Sequence, residues 1–287
     1  MPIKTLLKAC SVNYTNKCCN NCNNTCYNSC EQCLQHIHSH KDLRRYNCSN
    51  ITNYYVGKFL LKYSSELQYL LITSGIVKTL SQFNILAIGC GPCTDLFAFD
   101  KLNSVHKKKI LYHGVELNKM WKPIHKEIER IYNNSLISLR FTYNDIFKVH
   151  SSALLQPHHP NIITLQYLIS DLKANLGDKG VKNFISNLIS DVIAKIPSKL
   201  FILINDINHN TAARDYFEYF ASELKSIIPN TVVKERCYFE NNIKSFTFPY
   251  GMKYMDNSVK TNVNSQLRAL FTPYLSCSSA QMLIEVN

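Results

Sequence analysis

Residues 84–95 read NILAIGCGPCTD, a short apolar run that ends at Gly89, with Gly91 two positions further on. A run of this length closed by a glycine reads as a strand buried on both faces. Glycine has no side chain and accepts positive φ, so a turn built on Gly89 and Gly91 lets a ligand approach the backbone at the strand's tip. A ligand that carries ribose hydroxyls then needs an acidic side chain at the tip of the next strand. Residues 110–117 (ILYHGVEL) supply that strand, and Glu116 stands near its end, 25 residues beyond Gly91.

The same alternation continues on both sides of this pair. Residues 52–80 carry Phe59, Leu60, Tyr63, Leu67, Leu70 and Leu71 at helical spacing. Strands are expected at 138–143, 161–166 (NIITLQ) and 199–205 (KLFILIN), and helices at 120–132, 180–195 and 214–227. Two closing strands, 232–239 and 281–286, are joined by a long connection. Strands alternating with helices imply an α/β fold whose sheet is mostly parallel, seven-stranded here, with helices on both faces.

In the glycine loop and its acidic successor, residues 50–287 resemble the class I methyltransferases that use S-adenosylmethionine, a Rossmann-like family. The resemblance implies that Gly89 and Gly91 lie under the methionine part of the cofactor and that Glu116, beside Leu117, binds the ribose. It places Asp145 and Ile146, after the third strand, beside the adenine. Gln166 and Tyr167, after the fourth, fall where the family lines its transfer site. Asp95 is a further cofactor candidate, with helix capping as its other reading. Two departures stand out: Ala87 replaces an acid common in the family's first strand, and Cys93 replaces the loop's third glycine. A dinucleotide's pyrophosphate needs the closest backbone approach, so Cys93 counts against a dehydrogenase. Cys93 itself reads as a small loop residue.

Methyl transfer from a sulfonium is an in-line displacement governed by positioning. Tyr167, Asp171, Asp206 and His209 are the polar candidates for bordering it, with His209 as a general base toward a hydroxyl or as a plain loop residue. Gln166-Tyr167-Leu168-Ile169 lacks the Pro-Pro-aromatic pattern of amino-methylating enzymes, and the acceptor atom stays open.

Eight of the 12 cysteines precede residue 50, and residues 18–40 run CCNNCNNTCYNSCEQCLQHIHSH. Cys-x-x-Cys turns present two thiolates to one ion, so Cys19, Cys22, Cys30 and Cys33 are candidate zinc ligands in a small Cys/His-rich module, residues 1–49. That segment shows no helical or strand period and is expected to draw its folding energy from metal. Cys26, Cys30 and Cys33 also have radical iron–sulfur spacing, but Gln32 stands where those enzymes carry an aromatic residue.

With 46% hydrophobic and 18% charged residues the chain can bury a sizeable core, which excludes wholesale disorder. No apolar run approaches the length of a membrane span, and an intracellular setting, cytoplasmic or nuclear, is expected. The net charge of +12 favours a polyanionic partner, RNA ahead of DNA. Lys41, Arg44, Arg45 and Lys107-Lys108-Lys109 are the local basic groups. A protein or small-molecule acceptor, a protein partner docked on the Cys-rich segment, and a catalytically degenerate subunit are the other readings.

Overall fold

The structure, a computed structural model, describes residues 1–15, 29–39, 46–133, 136–149, 154–155, 159–240 and 248–287. Its centre is one sheet of β1 (Phe83–Ile88), β2 (Ile110–Val115), β3 (Ile137–Thr142), β4 (Ile162–Gln166), β5 (Leu200–Ile207), β6 (Thr231–Tyr238), β7 (Met252–Lys253) and β8 (Ser279–Val286). The strand order is β3-β2-β1-β4-β5-β8-β6-β7. β1 to β5 run parallel, whereas β8 is antiparallel to both β5 and β6. The seven expected strands are present, and the sheet has eight because β7 adds a two-residue edge beside β6. Residues 252 and 253 are exposed and carry no alternating pattern, so nothing in their sequence marks a strand.

Why the central strands read as unbroken apolar runs is visible in the sorting of their side chains. Ile85 and Ala87 join one core while Leu86 and Ile88 join the other, and Phe201 and Leu203 separate from Ile202 and Ile204 in the same way. Successive strand residues point to opposite faces, so a strand covered on both sides must be apolar throughout. The first core is closed by α1 (Pro2–Asn13), α2 (Cys30–Ser39), α3 (Ser49–Ser74), α5 (Thr94–His106) and α6 (Lys122–Tyr132), with the one-turn α4 (Ile76–Thr79) following α3. The second is closed by α7 (Leu168–Asp191) and α8 (Asp215–Ile227). A short α9 (Ser265–Phe271) lays Phe271 against α3 at Gly57.

Two local readings are corrected. Residues 1–15 are not without period: Ile3, Leu6, Leu7 and Cys10 form the buried stripe of α1, which packs on α3 and α6. α7 begins at Leu168, well before the expected 180, and is interrupted at Gly177, whose φ of 66° and ψ of −172° are non-helical. α3 ends as its sequence allows, with Gly75 in the left-handed region (φ 68°).

Candidate functional site

Strand order reverses between β1 and β4, and in open α/β sheets the crevice outside such a point receives ligands. A cleft of about 650 Å³ opens there, lined from the carboxyl ends of β1, β2, β3 and β4. Gly89 and Gly91 form its floor at φ 62° and 45°. A Cβ on Gly89 would come within 2.8 Å of Leu168 Cδ1, so a side chain here would have to push that methyl aside as well as hold a positive φ. Gly114 plays a supporting part in β2, because a Cβ there would lie 2.8 Å from Cys90 Sγ.

Glu116 closes the floor from the neighbouring strand. Its carboxylate accepts from the Gly91 amide at 2.9 Å and from the Asn118 amide at 2.8 Å. Burial pushes its carboxyl up, while those two amides act in the opposite direction. Two oxygens with two lone pairs each leave acceptor capacity for a ligand hydroxyl. Asp145 accepts from the Phe147 amide at 3.1 Å, and Gln166 accepts from Thr94 Oγ1 while donating to the Tyr63 carbonyl at 2.7 Å.

All the cofactor candidates, Gly89, Gly91, Asp95, Glu116, Leu117, Asp145, Ile146 and Gln166, line this one cleft, and so do Tyr167 and Asp171. Asp95 borders it with a carboxylate largely engaged inside the fold: Oδ1 accepts from Tyr112 Oη at 2.8 Å and from the Leu96 amide, and Oδ2 accepts from Thr164. Asp206 and His209 are not brought to the cleft. Asp206 is fully buried, accepting from the Ser170 amide at 3.0 Å and the Ile207 amide at 2.7 Å, so it caps α7 from β5. Burial raises its pKa to about 6. His209 lies edge-on to Phe248 at 5.3 Å.

An aromatic wall was not foreseen. Tyr46, Tyr55, Tyr63 and Trp121 border the cleft, with Tyr63 stacked on Tyr167 at 3.7 Å between centroids. The signal was the density of rings between residues 46 and 63, which the helical period of α3 attributes to packing. Asn118 Nδ2 donates to the Tyr46 carbonyl at 3.0 Å and so ties this wall to the tip of β2.

Of the proposed zinc ligands, Cys19 and Cys22 lie outside the described residues, as do Lys41, Arg44 and Arg45. Cys30 and Cys33 stand on the first turn of α2 and are buried in the same core as Cys10 and Cys48. A different donor group lies under the glycine loop. Cys90, Cys93 and His125 have their ligand atoms within 4.8 Å of one another. Cys93 is fully buried at φ 56°, at the start of α5. Burial pushes its thiol up, but hydrogen bonding from Cys90 and the His125 charge outweigh this and bring it down to about 7. Its reading as a plain loop residue misses this cluster, for which the Cys90-x-x-Cys93 spacing was the available signal.

No protein-family model matches the chain, and no curated protein matches it. Among solved structures, the chain is similar to the plantazolicin methyltransferase BpumL in complex with SAH, at 12% identity and a TM-score of 0.45, covering 90% of this chain and 99% of that one. It is also similar to a Pyrococcus horikoshii protein described as a "putative RNA methyltransferase", at 11% identity and a TM-score of 0.44, covering 78% and 82%. Both TM-scores lie below 0.5, so the functional reading rests on the site's own geometry. No helix among the described residues is long and apolar enough to cross a membrane.

Proposed function

We propose that the chain is an S-adenosylmethionine-dependent methyltransferase whose acceptor is a nucleic acid, RNA ahead of DNA. The observation that carries this is the convergence of Gly89, Gly91, Glu116, Asp145 and Gln166 on one cleft at the reversal of strand order. The residues fit the cofactor: Gly89 and Gly91 hold the positive φ that brings bare backbone to the cleft, and a buried carboxylate stands at the tip of β2. The cofactor would supply an electrophilic methyl group. Glu116 would hold its ribose hydroxyls, and Asp145 with Ile146 would hold its base. Tyr167 and Asp171 would orient the acceptor and exclude water. The net charge of +12 supports a polyanionic acceptor. Within the lysine triplet, Lys107 and Lys109 are exposed, but Lys108 donates to the carbonyls of Val77 and Leu80 and is used internally. The Cys/His-rich segment 1–49, including Cys19, Cys22, Cys30 and Cys33, belongs to the same proposal as a zinc-dependent element that grips the partner.

The test is transfer of a radiolabelled methyl group from S-adenosylmethionine into separate RNA, DNA and protein pools, beside calorimetry of cofactor binding. Label in RNA, together with cofactor binding that is lost in Glu116→Ala and weakened in Glu116→Gln, is the expected result. Label in protein alone would move the acceptor to the protein class. Absence of cofactor binding by folded chain would refute the enzyme reading.

A further inference from the structure

The Cys90-Gly91-Pro92-Cys93 turn is closed by a 2.8 Å hydrogen bond from the Cys93 amide to the Cys90 carbonyl, and both sulfurs face α6. His125 meets them from that helix, with Nε2 3.8 Å from Cys90 Sγ. A tetrahedral ion about 2.3 Å from sulfur and about 2.0 Å from nitrogen spaces those two atoms about 3.5 Å apart, close to the separation already present. The Gly91 carbonyl oxygen, 2.6 Å from His125 Nε2 and 3.9 Å from Cys93 Sγ, holds the imidazole by a hydrogen bond; two ligands of one tetrahedral ion stand about 3.3 Å apart, so this oxygen gives way when the ion enters. All three side chains are at least nine-tenths buried, at 9%, 0% and 1% exposure.

The surroundings of the imidazole complete the pattern. Metal-bound histidines engage their second ring nitrogen with a polar partner, which fixes the ring. Here His125 Nδ1 lies 2.8 Å from Tyr143 Oη, and the ring stacks on Phe141 at 4.2 Å with a 7° tilt. We infer that Cys90, Cys93 and His125 form a site for one zinc-class divalent cation beneath the glycine loop, with a water as its fourth ligand. On binding, two thiol protons leave to solvent and the two thiolates balance the cation's charge. The hydrogen that Nε2 shares with the Gly91 carbonyl moves to Nδ1, where Tyr143 Oη accepts it. The ion would fix Gly91, whose amide donates to Glu116, and so set the shape of the cleft's floor. This site is separate from the N-terminal cysteines and does not depend on which cofactor fills the cleft.

The test is cobalt(II) titration of the reduced full chain, wild type beside Cys90→Ser/Cys93→Ser and His125→Gln, with circular dichroism to verify folding. Because the N-terminal cysteines can also bind cobalt, the readout is the difference between proteins. Wild type is expected to hold one more equivalent, with added thiolate-to-cobalt charge-transfer absorption. Tyr143→Phe removes only the hydroxyl beside Nδ1 and is expected to weaken that equivalent about 10–100-fold, which keeps the test open if the serine variant does not fold. Equal stoichiometry and spectra across wild type and folded variants would overturn the inference. So would a wild type isolated with a Cys90–Cys93 disulfide that takes no additional cobalt after reduction, an outcome assigning the pair to redox chemistry.

Discussion

The Tyr167 hydroxyl donates to Glu66 Oε2 at 2.9 Å, joining the first residue beyond β4 to the middle of α3. Glu66 is fully buried and also accepts from Asn205 Nδ2 at 3.2 Å and the Ser278 amide at 2.9 Å. Tyr167→Phe keeps the stack on Tyr63 and removes one donor, so it should cost about 1 kcal/mol. Glu66→Ala strands these three donors and also removes the partner of Lys62 Nζ, 3.8 Å from Oε1, and should cost about 3 kcal/mol or more. Urea unfolding of the two variants measures both, and equal losses would show that the carboxylate is not the hub.

Gly57 tests the seat of α9. A Cβ at this position would fall 2.1 Å from Phe271 Cγ, inside the ring's own volume, and Phe271 is only 1% exposed. Gly57→Ala should therefore destabilise by about 1–3 kcal/mol through overpacking. Calorimetry should record a fall in Tm of several degrees, and an unchanged Tm would mean that Phe271 can move aside.

The pH dependence of stability should carry a signature of Asp206. Its folded pKa of about 6 lies above the value of about 3.9 for an unfolded aspartate. Its contribution is thus fully present below about pH 4 and is lost as pH rises through 6, about 3 kcal/mol in all. Asp206→Asn cannot ionise, so the stability of wild type relative to this variant should shrink by about that amount between pH 4 and pH 7. Denaturant melts across this range decide it: a constant difference contradicts the buried, ionising cap.

Two left-handed glycines separate local strain from ligand access. Gly75 has φ 68° with nothing within 4 Å of its Cβ position, so Gly75→Ala should cost about 1 kcal/mol and leave cofactor affinity unchanged. Gly89→Ala meets Leu168 as well as an unfavourable φ, and should weaken S-adenosylmethionine binding at least about 10-fold. Calorimetric titration of the folded variants distinguishes them, and equal affinities would remove Gly89 from the floor.

The interior strands were legible because burial on both faces leaves one composition available, as NILAIG and KLFILIN show. The lining of the cleft was legible for a related reason: in a parallel sheet the glycine turn after β1 and the acid after β2 fall at the same edge. What escaped depends on contacts between distant residues. Asp206 sits at the correct edge of β5, but its direction toward the α7 amides follows from helix placement, which no local pattern encodes. His125 reaches the cysteines because α6 crosses behind the glycine loop, 32 residues after Cys93. The helix α1 was hidden by its cysteine-rich sequel, although Ile3, Leu6, Leu7 and Cys10 spell its buried face.

β8 lies between β5 and β6 and hydrogen-bonds to both. During synthesis the ribosome delivers β5 and β6 first, and the native pairing that joins them through β8 cannot form while that strand is unmade. Both hold open edges until residues 279–286 emerge, a period in which exposed edges invite pairing with other chains. A stop codon upstream of Ser279 would therefore remove the seam of the sheet, leaving a nascent chain for chaperones or proteases to collect.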